Sequence, residues 1–269
     1  IVRAGLAIKT ERGQYLDRFR GRIMFPIHNH FGKVIGFSGR VLPEYDTENM
    51  GKYVNSPDTP IFNKSRVLYG FWQSKRPIGE AESALLVEGQ MDFLLAFQDG
   101  VQNVVATSGT ALTSDHLRSL RRLTGKIVLA FDSDEAGKSA AERAIDLAGG
   151  SDFSVSLLSL GKYDDPADAV LKESGFLKKA LEKTQPAMEY YFDRYLGKEV
   201  LSDIDKKKKA IRVVLMKIRA LWSPVERAHY IRELSHLVNV GEKELEEELG
   251  RLTEGVEKRV QTVDDTIST

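Results

Sequence analysis

Val128-Leu129-Ala130-Phe131-Asp132-Ser133-Asp134-Glu135-Ala136-Gly137 is the stretch on which the fold turns, and Leu85-Leu86-Val87-Glu88-Gly89-Gln90-Met91-Asp92 is its upstream counterpart. Both open with a short apolar run that does not alternate, which reads as a strand buried on both faces of a parallel sheet. The acids that follow then stand at the carboxyl edge of that sheet, where open α/β sheets bind ligands near a topological switch point. Glu88, Asp132 and Asp134 are expected to converge there, with Asp92 four residues beyond Glu88 and Ala136-Gly137 opening a helix. Carboxylates so gathered raise one another's pKa unless a cation sits among them. Hard, oxygen-seeking Mg²⁺, or Mn²⁺, is the natural neutraliser. Asp-x-Asp after a strand also reads as a loop and helix N-cap, so the conjunction of the two blocks carries the inference.

A third acidic element follows in register. Ser154 to Leu160 reads as another strand and leads into Asp164-Asp165-Pro166-Ala167-Asp168, with Pro166 suited to a first helical turn. Asp165 joins the acidic edge, and Asp168 reads either as a further ligand or as a residue that caps the helix and favours its dipole. Gly137-Lys138-Ser139 resembles the end of a phosphate-binding P-loop, but the loop's first glycine falls on Asp132, whose carboxylate would repel the phosphates.

With 269 residues, 42% hydrophobic and 29% charged, the chain is long enough for more than one domain and is not disordered by composition. It shows no apolar run able to span a bilayer and no signal peptide, so a soluble protein without a membrane partner is expected. Cys 0 excludes a disulfide framework and a thiolate zinc site. His28-Asn29-His30 lacks a third ligand and reads as surface polar residues. The start at Ile1 and the aperiodic stretch Thr262 to Thr269 suggest a piece of something longer.

The net charge of zero conceals an asymmetry, because through residue 78 thirteen Lys and Arg stand against six acids. Arg18-Phe19-Arg20-Gly21-Arg22 mixes forked guanidinium donors with an aromatic, as phosphate and single-strand binding prefer. Residues 22 to 28 and 33 to 42 read as strands joined by the turn Asn29-His30-Phe31-Gly32, giving an antiparallel α+β subdomain. From about Ala81 strands and helices alternate, with strands at 84–87, 103–106, 127–131 and 155–158 and helices at 91–98, 114–123 and 138–148. Ala106-Thr107-Ser108-Gly109-Thr110 ends a strand at the same edge. After Gly175 the spacing turns helical over 176–183, 187–196, 206–222, 224–238 and 242–251. Lys206 to Lys209 reads as a solvated helix start.

These blocks resemble a known family, the TOPRIM fold, and within it the bacterial DnaG-type primase core. Val87-Glu88-Gly89-x-Met91-Asp92, Asp132-x-Asp134-x-Ala136-Gly137 and Asp165-Pro166 are similar to the three TOPRIM acidic motifs, which type IA topoisomerases and some nucleases share. Asp17 to Ile27, Gly36 to Leu42, Lys52-Tyr53-Val54-Asn55-Ser56-Pro57 and Phe62-x-Lys64-x-x-x-Leu68-Tyr69-Gly70 are similar to the primase core's own basic motifs. The resemblance covers residues 1 to about 250. Ser133 stands where the family often has Gly, and Asp165-Pro166-Ala167-Asp168 spaces its second acid one residue further than Asp-Pro-Asp.

The resemblance implies α/β and α+β multidomain architecture: a central TOPRIM Rossmann-like parallel sheet, an N-terminal mixed α/β basic subdomain and a C-terminal helical bundle. The expected segments are a basic template and nucleotide subdomain (1–79), a TOPRIM metal-binding catalytic domain (80–180), a helical subdomain (181–255) and a polar tail (256–269). The implied activity is DNA-templated synthesis of RNA primers. Glu88 ligates or acts as general base, and Glu88, Asp92, Asp132, Asp134, Asp165 and Asp168 hold Mg²⁺. Arg18, Arg20, Arg40, Lys52, Asn55 and Lys64 contact the nucleic acid. Implied partners are single-stranded DNA, ribonucleoside triphosphates and the RNA–DNA heteroduplex. The zinc-binding module and the helicase-binding tail, with the replicative helicase and single-strand-binding protein they meet, are expected outside this chain. The implied location is cytoplasmic, at the replication fork of the nucleoid. The alternatives are a TOPRIM nuclease or type IA topoisomerase fragment and, from another class, a binding module whose acids only stabilise loops.

Overall fold

The computed structural model describes residues 1–47 and 51–252. Glu48 of the acid count and the polar tail at 256–269 lie outside them. The chain divides into two compact units, residues 1–144 with 158–184, and residues 145–157 with the segment from 185 onward.

In the first unit β1 (Ala7–Lys9) and β2 (Tyr15–Asp17) form a short hairpin. β3 (Arg22–His28), β4 (Val34–Val41) and β5 (Tyr53–Asn55) form an antiparallel sheet in the order β3-β4-β5, with Phe25 opposite Ser38 and Arg40 opposite Tyr53. The β3–β4 turn forms because Asn29 Oδ1 accepts the N–H groups of Phe31 and Lys33, both at 3.0 Å. Arg22 reaches across the far end of this sheet. It donates from Nη1 to the Gly39 carbonyl at 3.0 Å and to the Lys52 carbonyl at 3.4 Å, and from Nη2 to the Gly51 carbonyl at 2.9 Å.

A helix, α1 (Phe71–Ala81), leads into β6 (Ala84–Val87), α2 (Gln90–Gln98), β7 (Val104–Ala106), α3 (Ser114–Arg121), β8 (Lys126–Leu129) and α4 (Glu135–Gly149). β6 is parallel to β7 on one side and to β8 on the other, and all four of its residues are 0% exposed, as a sheet covered on both faces requires. α5 (Pro166–Lys172) and α6 (Phe176–Leu181) complete the unit. Phe25, Ile27, Phe62 and Tyr69 share one core with Leu85, Val87, Val104, Ala106 and Leu177, and an antiparallel bridge joins Tyr69 to Ala106. Each such large side chain contributes about 2 kcal/mol by burial, so this common core fixes the basic sheet against the parallel one.

The second unit holds β9 (Ser154–Leu157), paired antiparallel with β10 (Gln185–Pro186), then α7 (Ala187–Tyr195), α8 (Lys198–Leu201), α9 (Ile204–Ala220), α10 (Pro224–Val238) and α11, which starts at residue 242 and is described through 252. α9 buries Ala210, Ile211, Val214, Leu215 and Ile218, the three-and-four spacing of an amphipathic helix, while Lys206, Lys208 and Lys209 stay exposed. Lys217 Nζ lies 2.6 Å from Asp146 Oδ2 and 4.8 Å from the Tyr191 ring centre, and Tyr191 donates its hydroxyl to Asp146 Oδ1 at 2.9 Å. No helix among the described residues is long and apolar enough to cross a membrane.

The α/β reading with its parallel core and helical C-terminal part is borne out. α1, α8, β10 and the β1–β2 hairpin were not anticipated. Pro77 and Gly79 inside α1 disguise it as a loop, and β10 is only two residues long.

Candidate active site

Glu88 is the first residue after β6, and Asp92 lies in the first turn of α2. Asp92 Oδ2 accepts the Gly89 N–H at 2.9 Å, which caps its own helix, and Oδ1 accepts the Ala167 N–H at 3.2 Å. That second bond ties the β6–α2 loop to the first turn of α5. Asp165 is the N-cap of α5, its Oδ1 accepting the Asp168 N–H at 2.6 Å. Asp168 Oδ2 receives Lys172 Nζ at 2.8 Å, one turn along the same helix.

Asp132 and Asp134 follow β8. Asp132 donates its backbone N–H to Glu88 Oε1 at 3.2 Å, so the two acidic blocks are joined directly. Asp134 turns the other way, and its Oδ1 accepts the Gly137 N–H at 2.7 Å at the start of α4. Gly137 packs on the Asp132 backbone so closely that a Cβ would lie 2.2 Å from the Asp132 carbonyl oxygen. Only glycine lets α4 begin where it holds the Asp132 loop in place.

A cavity of about 620 Å³ opens at this edge. Glu88, Asp92, Asp132, Asp165 and Asp168 line one part of it, and Arg40, Lys52, Asn55 and Lys64 line another. Asp134, Arg18 and Arg20 are not among the lining residues. Arg18 instead donates Nε to the Asn55 carbonyl at 3.1 Å, bracing β5 from behind. Lys64 donates Nζ to the Gly109 carbonyl at 2.8 Å, and the Arg40 guanidinium lies 5.8 Å from the Tyr53 ring centre.

The electrostatics follow from enclosure. Burial, reinforced by the charges of Glu88, Asp92 and Asp165, pushes Asp132 up from 3.8 to about 7. Burial likewise lifts Asp92 to about 6, against the lowering effect of its two N–H partners. Glu88 is raised by burial too, while burial lowers Lys64. An all-oxygen donor set with two carboxyl groups this reluctant to ionise fits a hard divalent cation, which stabilises the ionised forms. Among the described residues no three His, Cys, Asp or Glu side chains already stand around one ion position. The donor chemistry nevertheless suits Mg²⁺ or Mn²⁺ at the acidic edge.

Sequence reasoning passed over Tyr53, Gln90, Leu95 and Leu171, which also line the cavity. Ser108, read as a strand-end residue at the edge, lines it as well. Its φ of 56° is a left-handed conformation uncommon for a residue with a Cβ, and strain of that kind gathers at functional sites.

A parallel sheet with Glu, Asp-x-Asp and Asp at its carboxyl edge, sharing a core with a basic antiparallel sheet, defines a TOPRIM protein. Residues 1–75 match the DNA primase catalytic core N-terminal domain, 85–170 the Toprim-like family and 188–243 the DnaB-helicase binding domain of primase. A crystal structure of a DNA primase domain from Pseudomonas aeruginosa superposes with a TM-score of 0.81 at 30% identity, over 93% of this chain and 78% of that one. A DnaG primase catalytic domain bound to single-stranded DNA gives a TM-score of 0.78 at 32% identity, over 90% and 76%. DNA primase from Geobacillus stearothermophilus is 38% identical over 251 residues, which is 93% of this chain and 41% of that protein. The chain belongs to the bacterial DnaG-type DNA primase family. It spans about two fifths of the length of the curated relatives it matches.

These matches set aside the topoisomerase and nuclease readings. They also correct one expectation. The resemblance places helicase binding in a tail outside this chain, whereas a helicase-binding family matches within it, in the second unit.

Proposed function

We propose that the chain is the RNA-polymerising core of a primase, joining ribonucleotides on a single-stranded DNA template. One observation carries the reading: the acidic edge and the cationic groups Arg40, Lys52 and Lys64 line the same cavity. Polymerisation needs that pairing, because the 3′ hydroxyl of one nucleotide must meet the α-phosphate of the next, with pyrophosphate leaving, and the protein mainly positions groups and balances charge.

In this reading Arg40, Lys52 and Lys64 bind the triphosphate and the template backbone, and the Asn55 amide, whose buried Oδ1 has no partner among the described residues, hydrogen-bonds the nucleotide. Arg18 acts by holding β5 through the Asn55 carbonyl, and Arg20 contacts the template backbone. Glu88, raised by burial, takes the proton of the attacking hydroxyl. Asp92 fixes the loops that carry Glu88 and Asp165. Glu88, Asp92, Asp132 and Asp165, with Asp134 and Asp168 beside them, would hold Mg²⁺ or Mn²⁺, which when bound stabilises negative charge on the attacking and leaving oxygens. Residues 1–79 serve template and nucleotide binding, residues 80–180 carry the chemistry, and residues 181–255 serve the replicative helicase, over the segment that matches its binding domain. The product is an RNA–DNA heteroduplex, and the setting is the bacterial replication fork in the nucleoid.

The test is incorporation of labelled ribonucleotides on a single-stranded template with Mg²⁺ or Mn²⁺, beside an Asp132→Asn control. Metal-dependent oligoribonucleotides that vanish in the variant support the reading. Template cleavage without synthesis overturns it.

A further inference from the structure

At the end of the β3–β4 hairpin remote from the cavity, Phe31 is 73% exposed at the turn and lies against His30 at a 43° tilt with ring centres 3.9 Å apart. Trp72, on the first turn of α1, lies directly beneath and is 37% exposed. The turn that carries Phe31 is in contact with the Trp72 indole. Gly32 has φ +82°, and a Cβ there would sit 1.3 Å from Trp72 Nε1, so the turn rests on the indole edge with no room for a side chain. Lys75 completes the cluster, with Nζ 4.7 Å from the Trp72 ring centre and donating to the His30 carbonyl at 3.1 Å. None of these residues lines the acidic cavity.

Charge identifies what this surface suits. Residues 22–43 and 59–79, which supply β3, β4, the turn and most of α1, contain no Asp or Glu, yet hold Arg22, Lys33, Arg40, Lys64, Arg66, Lys75 and Arg76. The acids that directly flank these segments are Glu44, Asp58 and Glu80, and Glu80, the one on α1, is paired to Arg76 at 2.7 Å. Exposed aromatic faces interleaved with cations along acid-free segments are the chemistry that holds single-stranded nucleic acid, the cations tracking phosphates and the rings stacking bases. A protein-binding patch would have no reason to exclude acids over two separate segments. Along β4 the tip lies about 20 Å from Arg40, beyond the reach of a nucleotide seated in the cavity.

We propose that the Phe31–Trp72–Lys75 tip is a second station for the single-stranded DNA template, on which a base outside the cavity stacks against Phe31 while Lys33 and Lys75 hold the backbone. This rests on the primase reading for the identity of the strand, and not for its chemistry. The station would make affinity depend on template length, because a strand confined to the cavity does not reach it.

The chain has two tryptophans, Trp72 and Trp222, so Trp222→Phe leaves Trp72 as the sole reporter. Oligothymidylates of about 4 and about 16 nucleotides, the range of one single-strand site, are titrated while Trp72 emission and the anisotropy of a labelled strand are followed. Quenching of Trp72 by the long strand and not by the short one is expected. Phe31→Ala, an exposed substitution, should weaken the long strand about tenfold, the loss of one stacked base, and leave the short one unchanged. Lys33→Glu should flatten the salt dependence for the long strand only. Unquenched Trp72 at saturation, or equal long-strand affinity in Phe31→Ala, overturns the proposal. Ribonucleotide incorporation on a short template, run on the same proteins, reports separately on the primase reading, because Phe31 lies outside the cavity.

Discussion

Asp132→Asn should abolish synthesis and at the same time make the protein more stable near neutral pH. In the folded chain the Asp132 carboxyl is raised from 3.8 to about 7, first by burial and then by Glu88, Asp92, Asp165 and Asp134. A raised acid favours folding fully only below its unfolded value, and that contribution is lost as pH rises through the folded value, because the native state must hold a charge the unfolded chain carries freely. The full shift is worth about 4 kcal/mol at 1.36 kcal/mol per unit. Solvent reaching a half-buried group reduces this to about 1–2 kcal/mol. Asn keeps the shape and removes the charge, so the gain should be near zero at pH 4 and complete by pH 8. Urea denaturation of both proteins at those two pH values measures it. Divalent cation should then reverse the order, since an ion bound at about 100 times its Kd adds about 2.7 kcal/mol to the parent and much less to the variant. Equal or lower stability of Asp132→Asn at pH 8 without metal would refute the claim that these carboxyls strain one another.

Gly137→Ala should lower stability by about 1–3 kcal/mol, the cost of overpacking, although Gly to Ala in a helix interior normally gains about 1 kcal/mol; thermal denaturation gives the sign, and incorporation should fall with it because the displaced atoms belong to Asp132. His116 is 0% exposed and burial lowers its pKa, so the folded chain binds that proton less readily than the unfolded one. Stability should therefore fall as pH drops below about 6.5, and His116→Gln should flatten that limb in a pH series of melting curves. Lys217→Met should cost about 1 kcal/mol, because it leaves Asp146 with the Tyr191 hydroxyl and no cation; a Tyr191→Phe double-mutant cycle should show the two losses to be coupled.

How much of this was visible beforehand depended on whether local pattern or distant contact decided the element. Residues 22–28 and 224–238 were read with the boundaries the structure has, because strand propensity ended by a turn, and a Ser-Pro start followed by apolar spacing, are local signals. α1 was missed because Pro77 and Gly79 argue against a helix that Ile78, fully buried, and the shared core impose. At the acidic edge, the motifs indicated which carboxylates stand at strand ends but not where each one points. Asp134 faces the start of α4, Asp165 caps α5 while lining the cavity, and Asp92 reaches Ala167, 75 residues away. Those orientations depend on backbone N–H groups whose positions only the folded chain supplies. Leu171 escaped notice for the same reason, since nothing in its neighbours marks it as lining a site.

The grip of Arg22 on the carbonyls of Gly39, Gly51 and Lys52 separates the length of one connection from the geometry of the site. Because both ends of the segment between Val41 and Tyr53 are pinned by one guanidinium and by the β4–β5 ladder, residues added between them leave Lys52, Tyr53 and Asn55 at the cavity where they are. Doubling such a loop costs only about 0.6 kcal/mol of closure entropy. A tag inserted in this connection should therefore leave the cavity lining unchanged, provided that Arg22 remains.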